Sequence, residues 1–122
     1  MARILIIEDN PANMELAAFI LKSAGHTVLA ATDAEAGLSL ARLERPGLIL
    51  MDIQLPGIDG LEATALLKRD DATRAIPVIA LTALAMKGDE ERIRAAGCDG
   101  YIAKPIRYKD VLATIATQLT RT

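Results

Sequence analysis

The sequence predicts an α/β fold, a doubly wound sheet of five parallel strands in the order 2-1-3-4-5 with five helices on its two faces. Short apolar runs alternate with longer runs of helical spacing along the chain of 122 residues. This alternation is typical of a parallel sheet covered on both faces, and right-handed crossovers permit this strand order. Four of the apolar runs end in polar residues, namely Glu8-Asp9, Asp52, Thr82 and Lys104-Pro105. In a parallel sheet these four clusters would meet at one edge.

The first predicted elements are strand 1 at residues 3–7, helix 1 at residues 11–24 and strand 2 at residues 26–31. Asn10 is a favourable N-cap for helix 1, Pro11 suits its first position, and Gly25 ends it. The helical spacing of the apolar residues predicts an inward face made of Met14, Ala17, Ala18 and Leu21.

Helix 2 is predicted from the cap residue Asp33 to about residue 44. We expect its inward face to consist of Ala36, Leu40 and Leu43. The segment Arg45-Pro46-Gly47 then breaks the chain before strand 3 at residues 48–51.

The second half of the chain supplies the remaining helices and strands. Helix 3 is predicted at residues 60–69, strand 4 at 76–81, helix 4 at 87–96, strand 5 at 100–103 and helix 5 at 107–119. In helix 4 the acidic residues precede the basic ones, as the helix dipole favours, and Glu90 with Arg94 forms an i,i+4 pair.

Composition limits the classes of protein to which the chain can belong. Hydrophobic residues make up 52% and the formal net charge is −2, so there is no electrostatic case for a nucleic acid or an anionic membrane as partner. No signal peptide or membrane span is recognisable, and the single cysteine, Cys98, excludes an internal disulfide. We therefore expect one cytoplasmic domain over residues 1–122 with an aliphatic core.

The converging carboxylates of Glu8, Asp9 and Asp52 would repel one another unless a cation lies between them. Mg²⁺ is the natural cation for a few carboxylates that leave it several waters. A plain alternative is that these residues are solvated loop and strand ends, but their convergence with Thr82 and Lys104 favours a site. The lone His26 and Cys98 are interpreted as structural residues, and no phosphate-binding glycine loop is present.

Four segments resemble the receiver domain of two-component response regulators, which has a flavodoxin-like fold. They are Ile6-Ile7-Glu8-Asp9-Asn10, Leu50-Met51-Asp52 continuing to Asp59-Gly60, Ala80-Leu81-Thr82-Ala83, and Lys104-Pro105. The stretch from Met86 to Arg94 and the pair Gly97-Cys98 look most like the DivK group of single-domain regulators.

This resemblance implies that Asp52 is the phosphoacceptor. It implies that Mg²⁺, which Mn²⁺ can replace, is held by Glu8, Asp9, Asp52 and the backbone carbonyl of Gln54. Lys104 would pair with the phosphoryl oxygens, Thr82 would shift onto the phosphoryl group, and Tyr101 would rotate as a switch residue. The Lys104–Pro105 bond is expected to be cis. The resemblance also assigns control of the phosphoryl lifetime to Gln54 and Leu84.

The function implied is a regulator without independent turnover that takes a phosphoryl group from a histidine kinase or a histidine phosphotransfer protein. Phosphorylation would switch a surface of helix 4, strand 5 and helix 5 for a downstream protein partner, on a monomer or a phosphorylation-dependent dimer. The DivK likeness suggests cell-cycle or polarity control. Two alternatives stay open: a phosphotransfer relay or hybrid-kinase receiver fragment without an output surface, and a flavodoxin-like flavin binder. The crowded acids argue against the anionic flavin.

Overall fold

The structure is a computed structural model that describes residues 2–83 and 87–120. Its strands are β1 (Arg3–Ile7), β2 (Thr27–Ala31), β3 (Leu48–Asp52), β4 (Val78–Thr82) and β5 (Gly100–Ala103). Its helices are α1 (Pro11–Ser23), α2 (Ala34–Glu44), α3 (Gly60–Arg69), α4 (Lys87–Ala95) and α5 (Tyr108–Leu119). The strands pair in parallel in the order β2-β1-β3-β4-β5, which confirms the predicted sheet. No helix among the described residues is long and apolar enough to cross a membrane.

Each of the first three helices begins at a side-chain hydrogen bond from a capping residue that can be recognised in the sequence. The side chain of Asn10 accepts a hydrogen bond from the N–H of Asn13 at 3.0 Å and so caps α1. Asp33 and Asp59 cap α2 and α3 in the same way, each at 2.8 Å. The predicted caps of α1 and α2 are therefore confirmed.

Most element ends lie within one residue of the prediction, and β4 differs most. It begins at Val78 rather than at residue 76. Pro77 directly precedes it and has no N–H to donate to a neighbouring strand, so the regular ladder starts at Val78, two residues later than predicted. At the other end β4 includes Thr82 itself, which brings that hydroxyl into the sheet.

Two aliphatic layers, one on each face of the sheet, form the core. One layer lies under α2, α3 and α4 and includes Leu5, Ile7, Ile49 and Met51. The other lies under α1 and α5 and includes Ile4, Ile6, Leu48 and Leu50. Alternate residues of β1 and β3 thus face opposite layers, as expected for strands covered on both sides.

The prediction for the inward face of α2 is wrong for Ala36 and Leu43, and of the three predicted residues only Leu40 packs against the core. Ala36 is exposed, Leu43 is 77% exposed and Leu40 is only half-buried. The buried residues are instead small, namely Ala34, Gly37 and Ala41. The reason is the close approach of α2 to β1: a Cβ atom at Gly37 would lie 2.3 Å from the Cδ1 of Ile7. The predicted face of α1 is confirmed, with Ala17 and Leu21 buried.

Candidate functional site

The carboxyl ends of β1, β3, β4 and β5 bring the predicted polar residues to one edge of the sheet. Because β1 pairs with β3, Glu8 and Asp52 leave adjacent strands. Thr82 ends β4, and Lys104 directly follows β5 on the far side of it. The order of the strands reverses between β1 and β3, and ligands of open α/β sheets bind at such a switch point.

Lys104 forms ion pairs with the carboxylates at the ends of β1 and β3. Its Nζ lies 3.1 Å from Oε1 of Glu8 and 3.2 Å from Oδ2 of Asp52. Glu8 and Asp52 are 1% and 2% exposed, so neither carboxylate is solvated freely. One ammonium therefore faces two buried carboxylates, and the group carries an excess negative charge when both are ionised.

Backbone N–H groups hold the other oxygen of each carboxylate. The N–H of Asn10 donates to Oε2 of Glu8 at 3.1 Å. The N–H of Gln54 donates to Oδ1 of Asp52 at 3.0 Å. Each carboxylate is thus fixed between a backbone amide and Lys104. A carboxylate held in one orientation is better placed to react with or bind a ligand than a mobile one.

The protonation of Glu8 reflects this crowding. Burial, together with the hydrogen bond and the charge from the neighbouring Asp52, raises the pKa of Glu8 to about 7. Burial alone would lower the pKa of Lys104, but its hydrogen bond to Glu8 and the charges of Asp52 and Glu8 outweigh burial and raise it. The ammonium is therefore retained, and it is shared between Glu8 and Asp52.

The three carboxylates form a set of oxygens that fits a divalent cation. Glu8, Asp9 and Asp52 each offer one oxygen, and these oxygens lie within 4.8 Å of one another. Asp9 is exposed, so the group opens to solvent on one side. Hard oxygen donors with room for water are the ligands that Mg²⁺ prefers, and the excess negative charge calls for a cation.

The other predicted site residues lie around this group. Thr82 is fully buried, and its carbonyl accepts the N–H of Lys104 at 2.7 Å. Tyr101 is half-buried and packs against the apolar layer that contains Ile93 of α4. The Lys104–Pro105 peptide bond is cis. The side chain of Gln54 is exposed. Leu84 and Met86 lie outside the described residues.

His26 and Cys98 have the structural surroundings that the sequence analysis favoured. The Nδ1 of His26 accepts a hydrogen bond from the N–H of Ala2 at 3.1 Å, and burial lowers the pKa of this imidazole. Cys98 is buried with its Sγ 3.8 Å from the Oγ1 of Thr64, and burial raises the pKa of the thiol.

Two features near the site were not identified from the sequence. Gly60, the first residue of α3, touches the backbone of Asp52 so closely that no side chain fits there. On α1, Leu16 and Phe19 are 42% and 68% exposed and line an open groove of about 590 Å³. The sequence does contain an indication of the groove, because Leu16 and Phe19 are apolar residues that lie outside the inward face predicted for α1. Nothing in the spacing indicates the contact of Gly60.

Comparison with known proteins places this geometry in a family. The family model for the response regulator receiver domain matches residues 4–116. The chain belongs to the response regulator receiver family.

Among curated relatives of this receiver, the polar-differentiation response regulator DivK of Brucella anthropi is 51% identical over 116 residues, which are 95% of this chain and 94% of that protein. DivK of Brucella ovis is 49% identical over the same shares of the two chains.

Solved receiver structures superimpose closely on this one. The receiver domain of a sensor histidine kinase from Pseudomonas aeruginosa, with a magnesium ion coordinated in its active-site cleft, is 34% identical with a TM-score of 0.91 over 98% of each chain. A response regulator from Chloroflexus aurantiacus is 27% identical with a TM-score of 0.94, again over 98% of each chain.

Membership of the family makes this chain a component of two-component signalling, with a histidine kinase or a histidine phosphotransfer protein as its partner. Its similarity to the DivK relatives, at 49–51% identity, favours a DivK-like regulator over a kinase receiver fragment, since the kinase receiver is 34% identical.

Proposed function

We propose that this receiver accepts a phosphoryl group from a phosphohistidine on Asp52 and works as a DivK-like regulator. The observation that carries this proposal is the position of Lys104, whose Nζ lies 3.1 Å from Glu8 and 3.2 Å from Asp52 at the carboxyl edge of the sheet. Such a group offers a nucleophilic oxygen, a fixed positive charge and acidic metal ligands in one place, which is what phosphoryl transfer requires.

In the proposed step a carboxylate oxygen of Asp52 attacks the phosphorus of the phosphohistidine. A P–O bond forms, the P–N bond breaks, and its electron pair stays on the imidazole nitrogen of the donor. The N–H of Gln54 holds Oδ1 of Asp52 during this step, and the ammonium of Lys104 lies beside Oδ2 to balance charge on the phosphoryl oxygens. Hydrolysis of the acyl phosphate later restores Asp52, so the chain has no independent turnover substrate.

The metal ligands we propose are Glu8, Asp9, Asp52 and the backbone carbonyl of Gln54. The supporting observation is that the three carboxylates offer oxygens within 4.8 Å of one another. When bound, Mg²⁺ would neutralise charge on the transferring phosphoryl group. Mn²⁺ is expected to substitute, because it also accepts oxygen ligands in octahedral geometry.

The proposed switch runs from Thr82 to Tyr101. A phosphoryl group on Asp52 adds about −1.5 to −2 charges and new acceptor oxygens beside the end of β4. The hydroxyl of Thr82 can donate to one of these oxygens if its segment moves. Tyr101 lies one strand further and packs against the layer shared with α4, so we propose that it follows this movement. The output surface would be α4, β5 and α5.

The groove on α1 is the surface that we assign to the phosphodonor protein. The helix begins two residues after Asp9, so a donor that brings its histidine to Asp52 passes over this end of the molecule. Leu16 and Phe19 are exposed there, and Glu15 and Lys22 line the same groove. An apolar centre with charged residues at its rim is typical of a protein interface.

In the cell we propose that the protein contributes to cell-cycle or polarity control, as the name of its DivK relatives suggests. It would act in the cytoplasm through a downstream protein partner, as a monomer or a phosphorylation-dependent dimer, and over residues 1–122 as one domain. A relay, which only passes the phosphoryl group on, would instead predict no effect of phosphorylation on partner binding.

The experiment that tests the phosphoacceptor is intact mass spectrometry after incubation with Mg²⁺ and the small-molecule donor phosphoramidate. We expect the mass of one phosphoryl group to be gained by the parent chain and not by Asp52→Asn, nor by the parent without Mg²⁺. A phosphoryl group that still forms on Asp52→Asn would overturn the assignment of this residue.

A further inference from the structure

We propose that Gly60 is a positioning residue for phosphorylation: the absence of a side chain at the start of α3 fixes where β3 ends and so where the carboxylate of Asp52 lies. This inference rests on the proposed role of Asp52 as phosphoacceptor.

The first observation is the contact between α3 and the end of β3. A Cβ atom at Gly60 would lie 2.2 Å from the carbonyl oxygen of Asp52 and 2.5 Å from the Cα of Ile53. These are backbone atoms, which no change of side-chain rotamer can move aside. Gly60 is helical and its φ is not positive, so glycine is required here by space and not by backbone conformation.

The second observation is that Gly60 is held on both sides. Its N–H donates to the carbonyl of Ile53 at 3.1 Å, which ties it to the chain directly after Asp52. Its carbonyl accepts the hydroxyl of Thr64, one turn later in the same helix, at 2.7 Å, and Thr64 is fully buried. Room for a methyl group therefore requires either breaking the hydrogen bond between Gly60 and Ile53 or shifting the end of β3.

A displacement at this point reaches the reacting group at once. Asp52 carries the carboxylate, and Gln54, two residues later, donates the N–H that holds it. Phosphoryl transfer depends on an oxygen in line with the leaving group. A shift of the Asp52 carboxylate by a few tenths of an ångström to about 1 Å would therefore slow the reaction, although every reacting group is still present.

Other glycines in the same chain provide the contrast. At Gly37 the three atoms nearest to an added Cβ belong to the side chain of Ile7 and none of them to the backbone. At Gly47, which lies before β3 at the opposite edge of the sheet, the nearest atom would be 3.6 Å away. Gly60 is thus the glycine whose replacement presses on the backbone of the proposed phosphoacceptor.

The test compares Gly60→Ala with the parent, with Gly47→Ala and with Leu67→Ala. Leu67 is buried at the other end of α3, so its variant controls for general loss of stability in this helix. Each protein receives saturating Mg²⁺ and a range of phosphoramidate concentrations, well below its melting temperature, and intact mass gives the maximal rate and the half-saturating donor concentration.

For Gly60→Ala we expect the maximal rate to fall by about 10- to 100-fold while the half-saturating donor concentration stays close to that of the parent. The two control variants should keep the parental rate. A folded Gly60→Ala protein with the parental maximal rate, or an equal loss in Leu67→Ala, would overturn the inference.

If Gly60→Ala does not fold, the maximal phosphorylation rate of Thr64→Val tests the positioning role instead. It keeps the shape of the side chain and removes the hydrogen bond to the Gly60 carbonyl. A reduced maximal rate in this variant supports the positioning role, and a parental rate rejects it. A parent chain that gains no phosphoryl group at all would instead refute the proposed function, and the inference that depends on it falls with it.

Discussion

At the scale of single residues, the metal site that we propose would couple the binding of a cation to the protonation of Glu8. Glu8 is buried beside Asp52, and the pKa of about 7 means that its carboxyl is mostly protonated in slightly acidic solution when no cation is present. A divalent cation binds the ionised form, so it must displace this proton. Metal affinity therefore rises as the pH rises through about 7 and becomes independent of pH above that.

We predict that Mg²⁺ binding to the parent releases a substantial fraction of a proton at pH 6.5 and much less at pH 8.5, as linkage requires for a carboxyl whose pKa is raised to about 7. Titration calorimetry in buffers of different ionisation enthalpy measures the number of protons released. Glu8→Gln keeps the size of the side chain and cannot ionise, so it should release none at either pH. Equal proton release by the parent and Glu8→Gln would show that another group is titrating.

The lifetime of the phosphoryl group supplies a second prediction for a single residue. Leu84 lies outside the described residues, and its role is proposed from the family resemblance alone. An apolar side chain there cannot orient a hydrolytic water, whereas a carboxylate can. We predict that Leu84→Glu loses its phosphoryl group faster than the parent, by up to about 100-fold. Intact mass followed over time after removal of the donor measures this rate.

For Leu84 the matched control is Leu84→Gln, which has nearly the size of glutamate without its charge. It separates the effect of a general base from that of simple access by water. A parent whose phosphoryl lifetime is no longer than that of Leu84→Glu would contradict the prediction.

The residues that we propose for the site could be chosen from the sequence, but their mutual contacts could not. Polar residues stand at the ends of the apolar runs that form β1, β3, β4 and β5. Glu8, Asp52 and Lys104 could therefore be chosen from the sequence. That one ammonium lies within 3.2 Å of both carboxylates depends on the path of the chain after β5. The contact of Gly60 with Asp52 depends on the distance between α3 and β3, which no spacing of residues encodes.

At the scale of elements, α1 and α2 show when the spacing of apolar residues is enough to predict the buried face of a helix. In α1 the apolar stripe contains larger residues, and its predicted face is buried. In α2 two stripes compete, one of leucines and one of small residues, and the small one faces the sheet because α2 packs close to Ile7. Hydrophobicity alone favoured the leucines, since it does not report how near a helix approaches its sheet.

The exposed residues of α1 lead to a prediction about the phosphodonor. We expect Leu16→Ala combined with Phe19→Ala to slow phosphorylation by a phosphorylated histidine phosphotransfer protein that is active on the parent, by about tenfold, as for the loss of an interface hot spot. Phosphorylation by phosphoramidate should be unchanged, because this small donor needs no docking surface. Rates from intact mass with both donors measure the two effects.

Leu43→Ala is the control for the α1 groove. This leucine is 77% exposed on α2, so Leu43→Ala removes exposed apolar area at a place away from α1. It should leave both rates at the parental level. If the α1 variant is slowed equally with phosphoramidate, the effect lies in the site itself and the docking surface is rejected.

At the scale of the whole molecule, the parallel sheet would carry the coupling that we propose between the site and the output surface. Asp52, Thr82 and Tyr101 lie on three successive strands, β3, β4 and β5. The register pairs Tyr101 with Ala80 and Asp52 with Leu81, and Thr82 follows Leu81, so the three residues occupy three successive levels of the sheet. A change at the end of β3 can therefore reach β5 through one intervening strand.

The last prediction uses Tyr101 as a reporter of this coupling. The chain has no tryptophan and two tyrosines, and Tyr108 is 52% exposed, so Tyr108→Phe leaves Tyr101 as the single tyrosine at little cost. We expect phosphorylation of this variant to change its tyrosine fluorescence, because Tyr101 would exchange its half-buried position for another. With Asp52→Asn added, the same donor should cause no change.

Thr82→Ala, added to Tyr108→Phe, separates the switch from the chemistry. It keeps Asp52, Lys104 and the acidic ligands, so a phosphoryl group should still form and be seen by mass. Without the hydroxyl, nothing at that position donates to the phosphoryl oxygens, and the fluorescence of Tyr101 should stay constant. A full fluorescence response in this variant would refute the path through Thr82. Phosphorylation of Tyr108→Phe without any response at Tyr101 would favour the relay, because a chain that only passes the phosphoryl group on needs no second conformation.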